Sequence, residues 1–198
     1  AGRHGNKGVV SRILREEEGV NAIIFAQHAG TEYSSQHTNA QIDLAHKLID
    51  MGADFIAGSH PHVVQGMEVY NGRYIFYSMG NFCFGGNVKV RALESCALRL
   101  TLTFDDDGTY LGQQLRVYAA NVSGDPEVND FQPRLVTGEA AEAVWARIDA
   151  ASEGQEGPVA QGDGWRDYAY LPAPTPEATQ TPHPDSTPTP EAAAPTGE

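Results

Sequence analysis

Gly52-Ala-Asp-Phe-Ile-Ala-Gly-Ser-His-Pro-His62 is the stretch that decides the fold of this chain. Its residues 55–57 form a short apolar run typical of a buried strand, and the two small residues that follow end the run. Residues two apart in extended backbone point to the same side, so we expect His60 and His62 to project together from the end of the strand. Two imidazoles that point to one place suit a metal ion, and the alternative for so short a motif is a pair of surface histidines.

A third histidine follows an earlier apolar run. Residues 22–26 are apolar without alternation, which predicts a strand buried on both faces, and His28 comes directly after it. Residues 38–51 have helical periodicity, so the order strand, helix, strand predicts a right-handed βαβ unit with parallel strands. The carboxyl ends of both strands then share one edge of the sheet, where ligands bind in open α/β sheets. The sequence therefore predicts a metal site formed by His28, His60 and His62.

The remaining patterns predict the rest of one domain. Asn71-Gly72 between two apolar and aromatic runs predicts a β-hairpin, and residues 98–119 predict a second hairpin around an aspartate-rich turn. Residues 9–18 predict a short helix, and residues 138–151 predict an amphipathic helix that is expected to be the last packed element. The fold class expected for residues 1–171 is α/β (α+β), a mixed β-sheet or sandwich flanked by helices.

The composition changes at Pro172. Residues 172–198 contain eight of the twelve prolines of the chain, six threonines and no lysine or arginine. Such a segment cannot bury a core, so it is predicted to be a disordered tail or linker. Linkers of this composition often join or tether exported modules, and a cytoplasmic proline-rich tail is the alternative.

The charge of the chain limits its partners. A net charge of −13 argues against nucleic acid and against an anionic membrane surface, because both require a basic patch. No apolar run approaches the roughly 20 residues of a membrane-spanning helix. The first residues do not resemble a signal peptide, and the missing initial methionine favours a chain that is the later part of a longer protein.

Two cysteines and two further histidines receive structural interpretations. Cys83 and Cys96 stand in apolar surroundings and are interpreted as small buried side chains, with a disulfide between neighbouring strands as the alternative. His46 on the polar face of the predicted helix and His37 in the loop before it are interpreted as solvated.

Four segments of the chain resemble motifs of the CapA family of poly-γ-glutamate capsule proteins. In the order of the family they are His28-Ala-Gly-Thr-Glu-Tyr33, Leu48-Ile-Asp-Met-Gly-Ala-Asp54, Gly58-Ser-His-Pro-His-Val-Val-Gln65 and Tyr77-Ser-Met-Gly-Asn-Phe82. Ala29 stands where the family usually has Trp, and Ser59 stands where it has another His. The earlier Gly-Asp, Asn-Glu and Asn-Asn-His blocks of the family are absent from this chain.

The resemblance implies a fold similar to the four-layer calcineurin-like metallophosphoesterases, incomplete here at the N-terminus. It implies that His28, His60 and His62 bind one or two divalent metal ions, with Mn, Fe and Zn all open. Glu32 and Asn81 are the implied catalytic residues; by its chemistry alone, Glu32 is either a general base or a solvated loop residue. Because the absent blocks would carry the carboxylate and asparagine ligands, we expect the isolated chain to be an incomplete enzyme.

The implied function is poly-γ-glutamate capsule biosynthesis with metal-dependent, hydrolase-type chemistry. The expected partners are an anionic polymer or peptide-like substrate and other capsule-synthesis membrane proteins. The expected location is extracytoplasmic, at the cell surface or tethered to the membrane by an anchor outside this chain. The alternative function is a non-catalytic cell-surface or polymer-binding module that retains the fold and has lost the metal centre.

Overall fold

The first sheet is built around the predicted βαβ unit. The computed structural model describes residues 18–86, 88–152 and 154–173. The elements of the first half are β1 (Ile24–His28), α1 (Asn39–Asp50), β2 (Phe55–Ser59), β3 (Met67–Tyr70) and β4 (Arg73–Phe76). The strand order is β1-β2-β4-β3, in which β2 is parallel to both β1 and β4, and β3 is antiparallel to β4. The predicted crossover and the predicted hairpin at residues 71–72 are both confirmed.

Helix α1 begins and ends at residues with clear local reasons. The Thr38 side chain accepts a hydrogen bond from the Gln41 backbone N–H, and the Gln41 side chain accepts one from the Thr38 N–H, which forms a capping box. Gly52 follows the helix with a φ of 103°, a conformation that a residue with a Cβ rarely adopts. The helix buries Ala45 and Ile49 against the sheet, as the periodicity predicts.

The second sheet is organised around one long strand. Its elements, with the second helix, are β5 (Glu94–Phe104), β6 (Tyr110–Asn121), β7 (Arg134–Leu135), α2 (Gly138–Ala150), β8 (Ala160–Gly162), β9 (Trp165–Asp167) and β10 (Leu171–Pro172). Strand β5 pairs with the length of β6, which confirms the second predicted hairpin. Strands β10, β9 and β7 pair with successive segments of β6, and β8 pairs with β9.

Two cores lie on opposite faces of the first sheet. Alternate residues of β2 and β4 point to opposite faces, so Ile56 and Ile75 pack against α1, while Phe55 and Phe76 pack against the second sheet and α2. The resulting layers are helix α1, the first sheet, and the second sheet with α2. This is the mixed α/β architecture expected from the sequence.

Two details of the expectation are wrong. Strand β1 is not buried on both faces, because Ile24 is 56% exposed and Phe25 is 40% exposed. Among the described residues β1 is an edge strand that pairs only with β2. The α2 helix is not the last packed element either, since β8, β9 and β10 follow it and Tyr168 is buried in the core.

Both ends of the chain extend beyond the described residues. The helix predicted for residues 9–18 and most of the predicted tail lie outside them. At the tail boundary, Pro172 pairs with Gly112, and the Ala173 N–H donates to the Leu111 carbonyl at 2.8 Å, so ordered pairing continues past residue 171. None of the described helices has the length and apolar character needed to cross a membrane.

The two cysteines differ in environment. Cys96 is buried, as expected, and burial raises the pKa of its thiol, whereas Cys83 is exposed, so the expectation of burial is wrong there. Both are free, and the disulfide alternative is not formed.

Gly58 gives a direct test of the packing under the candidate site. A Cβ at this position would lie 2.0 Å from the Tyr77 carbonyl oxygen, a backbone atom that cannot move aside alone. We expect Gly58→Ala to destabilise the protein by about 1–3 kcal/mol, the usual cost of overpacking, in urea unfolding. Gly85→Ala is the matched control, because nothing lies within 4 Å of its added Cβ. Equal stability of the two variants would contradict the packing described here.

Candidate functional site

His28 and His60 meet at the carboxyl end of the parallel strands. His28 ends β1 opposite Ser59, the last residue of β2, and His60 follows directly. His28 Nε2 lies 3.1 Å from His60 Nδ1, and the two ring centroids are 4.7 Å apart. The parallel crossover thus brings these two predicted ligands together.

The Ser59 hydroxyl contacts the His28 ring and favours one of its neutral tautomers. That hydroxyl donates to the Gln27 carbonyl at 3.4 Å, so the Ser59 Oγ lone pair is left to accept from His28 Nδ1–H at 3.1 Å. His28 Nε2 then carries a lone pair, which accepts the hydrogen bond from His60 Nδ1–H. A hydrogen bond thus joins the two ring nitrogens.

Asn81 determines the tautomer of His62 through a hydrogen bond. Its Oδ1 lies 2.7 Å from His62 Nδ1, and because an amide oxygen only accepts, His62 Nδ1 carries the proton. The lone pair of His62 is left on Nε2, the tautomer expected of a metal ligand or a base. The His62 and His60 ring centroids are 6.2 Å apart, so His62 stands close to the pair without touching it.

The rim is built from unusual backbone conformations. Among the described non-glycine residues, positive φ occurs at Tyr33 (60°), His60 (102°), His62 (61°), Asn71 and Phe131. Three of these five belong to the rim, and such conformations, which cost about 1–3 kcal/mol each, cluster at functional sites. The expectation that residues 60–62 are extended is wrong, because His60 and His62 have positive φ. The two rings nevertheless lie near each other, as expected.

The loop from β1 to α1 forms one wall of the rim. The Tyr33 N–H donates to the Pro61 carbonyl at 2.7 Å, and the Tyr33 ring stacks on His62 with centroids 5.6 Å apart. The Gln65 side chain donates to the carbonyls of Ser34 and Gln36, and these two hydrogen bonds fix the position of the loop. Glu32 lies in the same loop but is exposed, and it makes no hydrogen bond or ion pair with the described residues. The structure therefore joins Asn81 to the histidines by a hydrogen bond and shows no such contact for Glu32.

The donor set suits a divalent cation only in part. Imidazole nitrogens are ligands for Zn, Fe and related ions, but of the two Nε2 lone pairs only that of His62 is available, since that of His28 accepts the hydrogen bond from His60. Within residues 18–173, gaps excepted, no three His, Cys, Asp or Glu side chains are grouped so as to hold a metal ion. The described residues alone thus offer an incomplete ligand set.

Sequence reasoning missed two side chains at the rim. Arg91 lies over the Tyr33 ring, 3.8 Å from its centroid, and Phe84 makes an edge contact with His62 at 5.1 Å. Nothing near Arg91 in the sequence marks it, because its partner is distant in the chain. Phe84 could have been suspected, because it lies two residues after the Tyr77–Phe82 motif.

His46 and His37 are not solvated, so that interpretation is wrong. His46 Nε2 is hydrogen-bonded to Glu68 Oε1, and its ring stacks on Tyr70 with centroids 3.7 Å apart. The His37 ring stacks on Tyr77 with centroids 4.0 Å apart. Glu68 and Tyr70 lie in β3, and Tyr77 directly follows β4. These contacts could not be predicted from the periodicity of residues 38–51, because the partners are distant in the sequence.

The segment that contains this rim is similar to known proteins. The family model described as bacterial capsule synthesis protein PGA_cap matches residues 3–86, which include His28, His60, His62 and Asn81. The chain is 45% identical over 135 residues to the capsule biosynthesis protein CapA of Bacillus anthracis, and 41% identical over 75 residues to the PGA biosynthesis protein CapA of Bacillus subtilis. Through this segment the chain is similar to proteins of the CapA family.

The match to CapA proteins covers part of each chain. The Bacillus anthracis alignment takes in 64% of this chain and 31% of the relative, and the Bacillus subtilis alignment 38% and 20%. A probable polyglutamine synthesis accessory protein of Mycobacterium tuberculosis is 27% identical over 112 residues, 54% of this chain and 29% of the relative. The chain therefore spans less than a third of the length of these CapA relatives.

His37 makes the anchoring of the loop sensitive to pH. Burial lowers its pKa from 6.5 by more than Glu68 raises it, so the folded state favours the neutral ring and the unfolded state binds the proton more tightly. This contribution to stability is complete above pH 6.5 and is lost as the pH falls through the folded-state pKa. We expect His37→Phe, which keeps a ring against Tyr77, to lose less stability below pH 6.5 than the wild type in urea unfolding.

The matched control for this prediction is His183→Phe, in the Pro/Thr-rich segment, which should retain the wild-type dependence on pH. Identical slopes for wild type and His37→Phe would show that His37 is not the titrating group.

Proposed function

We propose that this chain is the part of a CapA-like protein that carries its histidine rim, and that the whole protein acts in poly-γ-glutamate capsule biosynthesis. The observation that supports this most is the convergence of His28, His60 and His62 with Asn81 at one sheet edge, inside the segment that matches the capsule-synthesis family. The printed names of the relatives, which refer to capsule and PGA biosynthesis, support the biological role.

The rim is proposed to serve metal-dependent, hydrolase-type chemistry. His28, His60 and His62 would hold a divalent ion together with ligands that the described residues do not supply. When bound, such an ion lowers the pKa of a coordinated water and polarises the bond to be cleaved.

The side chains of this chain have distinct proposed tasks. Ser59 and Asn81 orient the rings of His28 and His62 and keep the lone pairs on Nε2. Glu32, exposed on the same loop as Tyr33, would accept a proton as a general base once substrate covers the loop. The Tyr33 ring, which stacks on the His62 ring, restricts the orientation of His62.

The setting of this activity is proposed from the same likeness. The substrate would be an anionic polymer or peptide-like chain, and the neighbours would be other capsule-synthesis membrane proteins. The protein would work outside the cytoplasm, at the cell surface or tethered to the membrane.

A second function is favoured by one observation. Because the described residues contain no three-ligand group and Glu32 has no hydrogen bond or ion pair with any of them, the rim also fits a non-catalytic polymer-binding module at the cell surface. The two functions differ in whether capsule production requires the metal ligands.

Metal content and polymer production test the proposal together. The full-length protein, His60→Ala and Glu32→Gln are purified for metal analysis and are expressed in a strain that lacks the natural gene. We expect His60→Ala to lose bound metal and poly-γ-glutamate production, because a ligand is removed. Glu32→Gln should keep the metal and lower polymer production, since only a proton acceptor is changed.

His183→Ala, which removes a histidine of the Pro/Thr-rich segment, is the control and should match the wild type. Wild-type metal content in His60→Ala would contradict the proposed site. Full polymer production by a His60→Ala protein without metal would favour the non-catalytic module.

A further inference from the structure

Arg91 differs in its pairing from most of the arginines that the structure describes. Five described arginines form ion pairs with carboxylates: Arg73, Arg116, Arg134, Arg147 and Arg166. Arg91 is exposed, and no carboxylate among the described residues pairs with it. Exposed Arg99 on β5 likewise has no ion pair with the described residues, so Arg91 is distinguished by its position over a ring of the rim.

The position of Arg91 is fixed by aromatic stacking. Its guanidinium lies 3.8 Å from the centroid of Tyr33, which in turn stacks on His62 at an interplanar angle of 21°. Stacking uses the face of the guanidinium and leaves its N–H edges free to donate. The guanidinium thus lies over the Tyr33 ring in the cleft that Asn81 also lines, and its N–H groups can donate to a carboxylate.

Lys89 adds a second cation to the same cleft. Tyr33, Asn81, Phe84, Lys89 and Arg91 line one small cleft at the rim. The strand-like segment that carries both cations is held by the 127–129 loop, through a bridge between Lys89 and Val128 and a hydrogen bond from the Val90 N–H to the Glu127 carbonyl at 2.9 Å. Lys89 is exposed and, like Arg91, has no carboxylate partner among the described residues.

We propose that Arg91, supported by Lys89, binds a carboxylate of the polymer next to the position where His62 acts. This inference rests on the proposed function and deepens it, because it assigns the recognition of the anionic substrate to a subsite with named residues. A polymer with a carboxylate on every residue would place one of them on Arg91 whenever a neighbouring unit lies at the histidines. Arg91 is then a specificity-determining residue, and Tyr33 a positioning residue that keeps its plane.

The test is calorimetric binding of short γ-linked glutamate oligomers to the full-length protein, free of added metal, at low salt. Arg91→Gln is expected to weaken binding roughly tenfold, the effect of losing a charge-assisted hydrogen bond. Arg99→Gln, an exposed arginine on β5 away from the rim cleft, is the control and should bind as the wild type does. The γ-linked isoglutamine oligomer, in which neutral amides replace the α-carboxylates, should bind the wild type and Arg91→Gln equally weakly.

The outcomes separate this inference from the proposed function. If the wild type binds the glutamate oligomer and Arg91→Gln binds it equally well, the subsite is overturned while the proposed function stands. If the wild type fails to bind it, the polymer role and the carboxylate assignment both fall. Circular dichroism of Arg91→Gln, unchanged from the wild type, shows that a loss of binding arises from the cleft and not from unfolding.

Discussion

The fold depends on Asp54, a buried carboxylate at the start of the central strand. It is 1% exposed, accepts a hydrogen bond from the Ile23 N–H at 2.8 Å, and accepts another from Arg73 Nε at 3.1 Å. Ile23 precedes β1 and Arg73 begins β4, so one side chain ties three parallel strands together at their amino ends. A buried ion pair contributes little net stability, but its loss leaves a charge uncompensated at a cost of about 3–5 kcal/mol. Alternative registers of these strands are disfavoured for that reason.

The histidine rim is a consequence of that register at the opposite end of the sheet. With Ile24 opposite Phe55, the pairing continues until His28 stands opposite Ser59, and the next residue is His60. The chain then bends through positive φ at His60 and His62, which returns both rings toward β1. The packed strands below supply the stability that offsets this local strain. A site of this kind requires a rigid sheet, because a shift of one residue would send His28 to the other face.

Sequence patterns could predict the parts of the structure that depend on local order. The βαβ unit, both hairpins and the proximity of the three histidines follow from periodicity, turn residues and the handedness of crossovers. The exposure of Ile24 and the partners of His46 could not be predicted, because both depend on which elements lie beside them in space. The contact between Arg91 and Tyr33 could not be predicted for the same reason. The sequence shows only that the chain has few Lys and Arg residues. The bends at His60 and His62 could not be predicted, because no sequence pattern marks a histidine that adopts positive φ.

The most direct test of this account is an anomalous-scattering crystal structure of the full-length protein, with data collected at the absorption edge of the metal it carries. We expect one ion within bonding distance, about 2.0–2.1 Å, of both His28 Nε2 and His60 Nδ1. We also expect that ligands from outside the described residues complete the coordination. An ion bound away from both histidines, or the two rings found on different edges of the sheet, would contradict this account.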